Sequence, residues 1–160
     1  MTVRFELRCD RSAPAHARRL LREVVAANPR AGELTPRLGD VELILSELVS
    51  NAVVHGQCEQ TELTIMIDDD HLRVEVSDPG RGGPVERRTA DLTGSGGLGL
   101  HLVDRLADRW GHHDDRDDHT GSARRRVWFD VRVGGSPVGA PTTAPASEPA
   151  RAGQTDTLTS

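Results

Sequence analysis

Glu47, Asn51 and His55 recur at every fourth residue of "LGDVELILSELVSNAVVHG", a stretch whose apolar residues keep helical spacing. At about 100° per residue, Asn51 falls roughly 40° round from Glu47. Leu38, Val41, Ile44, Leu45, Leu48 and Ala52 fill the neighbouring arc, so the carboxylate and the amide stand at the border of a buried face. A second group is "VSDPGRGG", where Asp78 ends an alternating segment and Gly80 and Gly82 follow. A carboxylate accepts hydrogen bonds and donates none, which suits an exocyclic amine such as that of adenine. Glycines behind it let a ligand approach the backbone closely. The third group is "TGSGGLGL", in which Gly94, Gly96, Gly97 and Gly99 lead into a helix whose free amides and positive dipole end favour phosphate. Between the second and third groups, Gly83 to Ser95 reads as a lid bearing Arg87 and Arg88. These arginines either reach phosphate oxygens on closure or stay solvated.

Each group also has a plainer reading. E-x-x-x-N is equally a boundary hydrogen bond on any helix, and Asp-Pro-Gly is an ordinary β-turn. The G-x-G-x-x-G spacing of Gly94, Gly96 and Gly99 is shared by unrelated folds. The elements around the groups narrow the choice. "TVRFELRC" alternates as a strand. "SAPAHARRLLREVVAANP" is a helix with Ser12 as its cap, stopping at Asn28-Pro29. The helix bearing Glu47 opens with Thr35 as cap and Pro36 at its first position, and stops at Gly56. "TELTIMIDD" and "HLRVEVSD" form a hairpin across an acidic turn, a helix runs from Leu98 to about Asp108, and "RRRVWFDVRV" is a last strand. "GHHDDRDDHTG" lacks any metal-ligand spacing and reads as a polar hairpin loop.

This order is α+β, and the simplest architecture is a two-layer sandwich with a mainly antiparallel sheet and helices on one face. It disfavours a dinucleotide-binding unit, where the glycine motif follows a strand directly. Here it follows the polar run "ERRTADLT".

The net charge of -5 offers no basic footprint for nucleic acid or an anionic membrane. Lysine is absent, which excludes a P-loop and a eukaryotic-type protein kinase, both of which need one on the phosphates. No signal peptide or long apolar span is visible, so a cytoplasmic location is expected. Cys9 and Cys58 are unpatterned and read as reduced thiols. The chain divides into a folded unit, residues 1–133, and a Pro/Ala/Thr/Gly-rich tail, residues 134–160, too poor in large apolar side chains to order itself.

Taken in order, the three groups resemble the GHKL ATPases. "ELVSNAVVHG" is similar to the N box of that superfamily, "DPGRG" to its first glycine box and "GSGGLGL" to its second. With the late "VWF", the set looks most like the stand-alone anti-sigma-factor serine/threonine kinases, over about residues 3 to 133. The resemblance implies a Bergerat fold that binds ATP between helices and sheet. By the same resemblance, Asn51 ligates Mg²⁺, Glu47 is the general base for the attacking hydroxyl, and Asp78 binds the adenine amine. Gly80 and Gly82 line the base pocket, while Gly96, Gly97, Leu98 and Gly99 line the phosphates. Gly94 is the last hinge of the lid carrying Arg87 and Arg88, and His55 stands near the site. No segment before the N box reads as a phosphoacceptor-histidine hairpin, so the implied acceptor is another protein. That implies a small antagonist protein phosphorylated on Ser or Thr, a sequestered sigma factor and a homodimer, with no direct nucleic acid and no membrane. The alternative is an ATP-dependent protein-binding module with little or no kinase activity. One departure motivates it: Arg125 and Arg126 stand where relatives carry Lys and Thr before the last strand.

Overall fold

The computed structural model describes residues 1–55, 59–78, 97–116 and 123–134. Five strands, β1 (Thr2–Arg8), β2 (Gln60–Ile67), β3 (His71–Asp78), β4 (Arg109–Arg116) and β5 (Ala123–Arg132), form one sheet in the order β1-β2-β3-β5-β4. Every pairing between neighbours is antiparallel. The register aligns apolar residues in rows across the sheet. Val3, Ile65, Val74, Phe129 and Trp110 stand abreast, as do Ile67, Leu72 and Val131. Because side chains alternate along a strand, these rows share one face, and that face is the one the helices cover.

Helices α1 (Ala13–Ala26), α2 (Ala31–Leu34), α3 (Leu38–His55) and α4 (Gly97–Leu106) supply the second layer, with a 3₁₀ turn at Thr35–Arg37 between α2 and α3. Leu20, Leu21, Val24 and Val25 of α1 and Val41, Ile44, Leu45, Leu48 and Val49 of α3 are buried against the sheet and each other. Each such side chain contributes about 1.5–3 kcal/mol by leaving water. The sequence therefore gives the two-layer α+β sandwich correctly, though not its details. Ser12 is the N-cap residue of α1, as expected, but its side chain makes no capping bond; the Asp10 carboxylate accepts both the Ser12 N–H at 2.7 Å and the Ser12 hydroxyl at 2.6 Å. Thr35 does not cap α3 either, because its hydroxyl donates back to the Ala31 carbonyl at 2.8 Å. Pro36 is accommodated in the 3₁₀ turn, and α3 begins at Leu38.

Two further expectations are corrected. The first half of "GHHDDRDDHTG" is not loop but part of β4, which puts His112 and His113 on an edge strand, both exposed. Cys9 is not a reduced thiol but forms a disulfide. Its N–H donates to the Glu59 carbonyl at 2.9 Å, so β1 stays level with the chain entering β2. The one other cysteine, Cys58, lies outside the described residues, as does the proposed tail beyond residue 134.

The sheet face away from the helices is lined by long polar side chains. Asp130, 1% exposed, accepts hydrogen bonds from Arg73 at 2.6 and 2.9 Å and from Arg109 at 2.8 Å. Arg73 also lies over the Trp128 ring, 4.3 Å from its centroid. The indole crosses Gly111, where a Cβ would come within 2.9 Å of Cζ2, so β4 needs a glycine there.

Candidate functional site

Helix α3 has two polar flanks on either side of its buried face. Towards α1, Glu42 accepts two hydrogen bonds from Arg22, each 2.6 Å, and the Ser46 hydroxyl accepts one from Arg18 at 2.7 Å. The other flank carries Glu47 and Asn51, one turn apart and both half-buried. Among the described residues neither side chain has a hydrogen-bond or ion-pair partner. A partly desolvated carboxylate and amide without partners cost free energy until something pairs with them. His55 is the last residue of α3, and its side chain lies outside the described residues.

Helix α4 packs against α3, and Arg37, in the 3₁₀ turn just before α3, reaches the far end of α4. Helix α4 begins with Gly97, Leu98 and Gly99, so the second glycine group forms its first turn. There the leading N–H groups have no partner within the helix, and the positive end of its dipole is presented. Asp78 is the last residue of β3, two beyond the buried Val76 and opposite Arg125 in the β3–β5 register. Its side chain lies outside the described residues, as do Gly80, Gly82, Arg87, Arg88, Gly94 and Gly96. Thus Glu47 and Asn51 lie on one flank of α3, α4 packs on α3 and opens with the Gly97–Gly99 turn, and Asp78 ends β3.

This donor set fits a nucleotide and a hard cation. The Asn51 amide oxygen and the Glu47 carboxylate are oxygen donors of the kind Mg²⁺ prefers, and Mg²⁺ commonly takes only one or two protein ligands beside phosphate and water. Among the described residues no group of three or more His, Cys, Asp or Glu is clustered to hold a metal.

Sequence reasoning missed what holds α4 in place. Arg37 is buried, and its guanidinium donates to the Leu106 carbonyl and, at 3.2 Å, to Asp108. Asp108 also accepts the Arg132 N–H at 2.6 Å, while its own N–H donates to the Asp130 carbonyl at 2.9 Å. Higher on α4, Asp104 accepts from the Trp110 indole N–H at 3.2 Å. The available signal was phase: Arg37 falls on the same arc as Val41, Ile44 and Leu48, a charged residue in an apolar position.

Among the described residues, then, the sandwich sets a glycine-started helix beside one whose Glu47 and Asn51 side chains have no partner. The chain belongs to the histidine kinase-like ATPase domain family, which it matches over residues 11–127. It is 30% identical to the serine-protein kinase RsbW of Staphylococcus epidermidis, over 49% of this chain and 60% of that protein. Two solved structures share the fold. The RsbU and RsbW domains of a Mycobacterium tuberculosis protein superpose with a TM-score of 0.53 at 18% identity, covering 83% of this chain and 33% of that one. The Pseudomonas aeruginosa SiaB-SiaC complex gives a TM-score of 0.54 at 17% identity, covering 81% and 89%. Among the described residues no helix is long and apolar enough to cross a membrane.

Proposed function

We propose that this protein is an anti-sigma-factor-type serine/threonine kinase that transfers the γ-phosphate of ATP to a small antagonist protein. The observation that supports the reading is that Glu47 and Asn51, on one flank of α3, have no partner among the described residues, while α4, packed on α3, starts at the glycine turn. Family membership implies ATP use, and the RsbW relative supports a protein acceptor. Glu47 accepts the proton of the acceptor's Ser or Thr hydroxyl as its oxygen bonds to the γ-phosphorus and the bond to the β–γ bridging oxygen breaks, leaving ADP. Asn51 would hold Mg²⁺, which when bound would supply charge neutralisation for the phosphates. The amides of Gly96, Gly97, Leu98 and Gly99 receive the phosphates, with Gly94 hinging the lid and Arg87 and Arg88 joining on closure. Asp78 accepts from the adenine amine, beside Gly80 and Gly82, and His55 stands at the rim. A sequestered sigma factor, a homodimer and a cytoplasmic location complete the proposal.

The test is transfer of labelled phosphate from Mg·ATP to the cognate antagonist. Glu47→Gln is expected to lower transfer at least a hundredfold while Mg·ATP still binds, measured by calorimetry on the same preparation. Unchanged transfer in that variant overturns the assignment of the base. A second reading, an ATP-dependent binding module, is favoured by Arg125 standing opposite Asp78 in the sheet register. Tight nucleotide binding and ATP-dependent partner capture, without any phosphoprotein, would select it.

A further inference from the structure

We propose that Arg37 is a positioning residue that sets how far α4 sits along α3, and so fixes the level of the Gly97–Gly99 turn against Glu47. This rests on the ATP-binding reading above and adds a residue that acts through α4 without touching nucleotide. The Arg37 side chain is only 6% exposed and its contacts are directed to the end of α4. Nη2 donates to the carbonyl of Leu106, the last residue of that helix, and Nη1 lies 3.2 and 3.4 Å from the two Asp108 oxygens. A helix leaves its last carbonyls unpaired and its C-terminus partly negative, so a guanidinium there is doubly favoured.

The clamp is tied to the sheet. Asp108, 9% exposed, binds the Arg132 backbone at the same time, so α4 is referred to β5 and not merely to its neighbour. The other described attachments of α4, buried Val103 and the Asp104–Trp110 bond, also lie in its second half. The described attachments of α4 thus place its axis from the end opposite the glycines.

The helix lengths turn this into a register. Leu106 is bonded to Arg37, just before α3, and the two helices pack together. The nine steps from Leu106 to Gly97 span about 14 Å, and the ten from Arg37 to Glu47 about 15 Å, at the helical rise. An α4 running back along α3 would therefore carry Gly97 to about the level of Glu47, with Asn51 one turn beyond. Arg37 reaches this arrangement at a cost, because its Nε is buried without a hydrogen-bond partner, 3.6 Å from the Asp40 carboxylate. A slip of one helical residue, about 1.5 Å, is enough to misplace a phosphate cradle against a base.

The experiment compares the full-length wild type with Arg37→Gln and Arg37→Lys, titrating ATP, ADP and adenosine with Mg²⁺ by calorimetry or NMR. All measurements are made at a temperature where each variant is folded by circular dichroism. Arg37→Gln is expected to weaken ATP and ADP about tenfold or more while adenosine binds as before, because only the phosphate end has shifted. Arg37→Lys keeps the charge near Asp108 and is expected to recover part of the loss. Millimolar guanidinium should restore phosphate-dependent affinity in Arg37→Gln. Equal weakening of all three ligands marks a general loss of structure and overturns the inference, as does unchanged affinity in both variants. Wild-type protein that binds none of the three overturns the ATP reading itself, and the inference with it.

Discussion

Glu42 and Glu47 lie five residues apart on α3, yet Glu42 is held by Arg22 while Glu47 has no partner among the described residues. The difference is one of facing: Glu42 meets the arginines of α1, and Glu47 stands on another flank of the helix. Asn51 shares the second situation. Asn51→Ala is accordingly expected to remove most of the Mg²⁺ dependence of ATP binding, weakening Mg·ATP about tenfold or more with little change in thermal stability. Calorimetry with and without EDTA reads the first effect and a melting curve the second. Gly111 sits in the reverse position, a residue chosen for what it lacks. Gly111→Ala drives a methyl into the Trp128 ring and is expected to destabilise the fold by about 1–3 kcal/mol. The displaced indole should appear as a shift in tryptophan emission.

Elements read from sequence where their apolar residues repeated with a clear period. The β2–β3 hairpin, α1, and the Glu47 helix are of this kind, and the sheet register buries the side chains that alternation selects. What failed has physical causes. Strand β4 carries Arg, His and Asp because it pairs on one side only, so it offers no apolar alternation to detect. Helix α2 is four residues long with one buried side chain, Leu34, too short for any period. The candidate site was legible because its residue types were placed at fixed spacing, whereas Arg37 was not, since its partners Leu106 and Asp108 are about seventy positions away. The hairpin turn supplies a test at this scale. Asp68 accepts the N–H groups of Asp70 and His71 at 2.9 and 2.7 Å, and those bonds hold its carboxyl below the ordinary value of 3.8. A carboxyl with a lowered folded pKa stabilises fully above its unfolded value and loses that contribution as pH falls through the folded one. Asp68→Asn keeps an acceptor oxygen but no titration, so its melting temperature should fall less than wild type between about pH 5 and pH 3, where free carboxylates titrate.

For the whole molecule, the two faces of the sheet are stabilised differently. One is covered by helices and dry; the other is roofed by its own arginines, with Asp130 at the junction of β3, β4 and β5. Asp130→Ala leaves Arg73 and Arg109 without their shared partner. Both can turn to solvent, so the expected loss is about 1–3 kcal/mol in urea unfolding, short of the cost of stranding a fully buried charge.

The polar character that hid β4 from sequence analysis also governs what the protein avoids. Among the described residues the sheet is bordered by β1 and β4, each with a row of backbone groups able to recruit another strand. Arg4, Glu6 and Arg8 on one border, and Arg109, His112 and His113 on the other, would bring charge and bulk against any chain that tried to extend the ladder. Growth into fibrillar aggregates is thereby opposed at both of these strands.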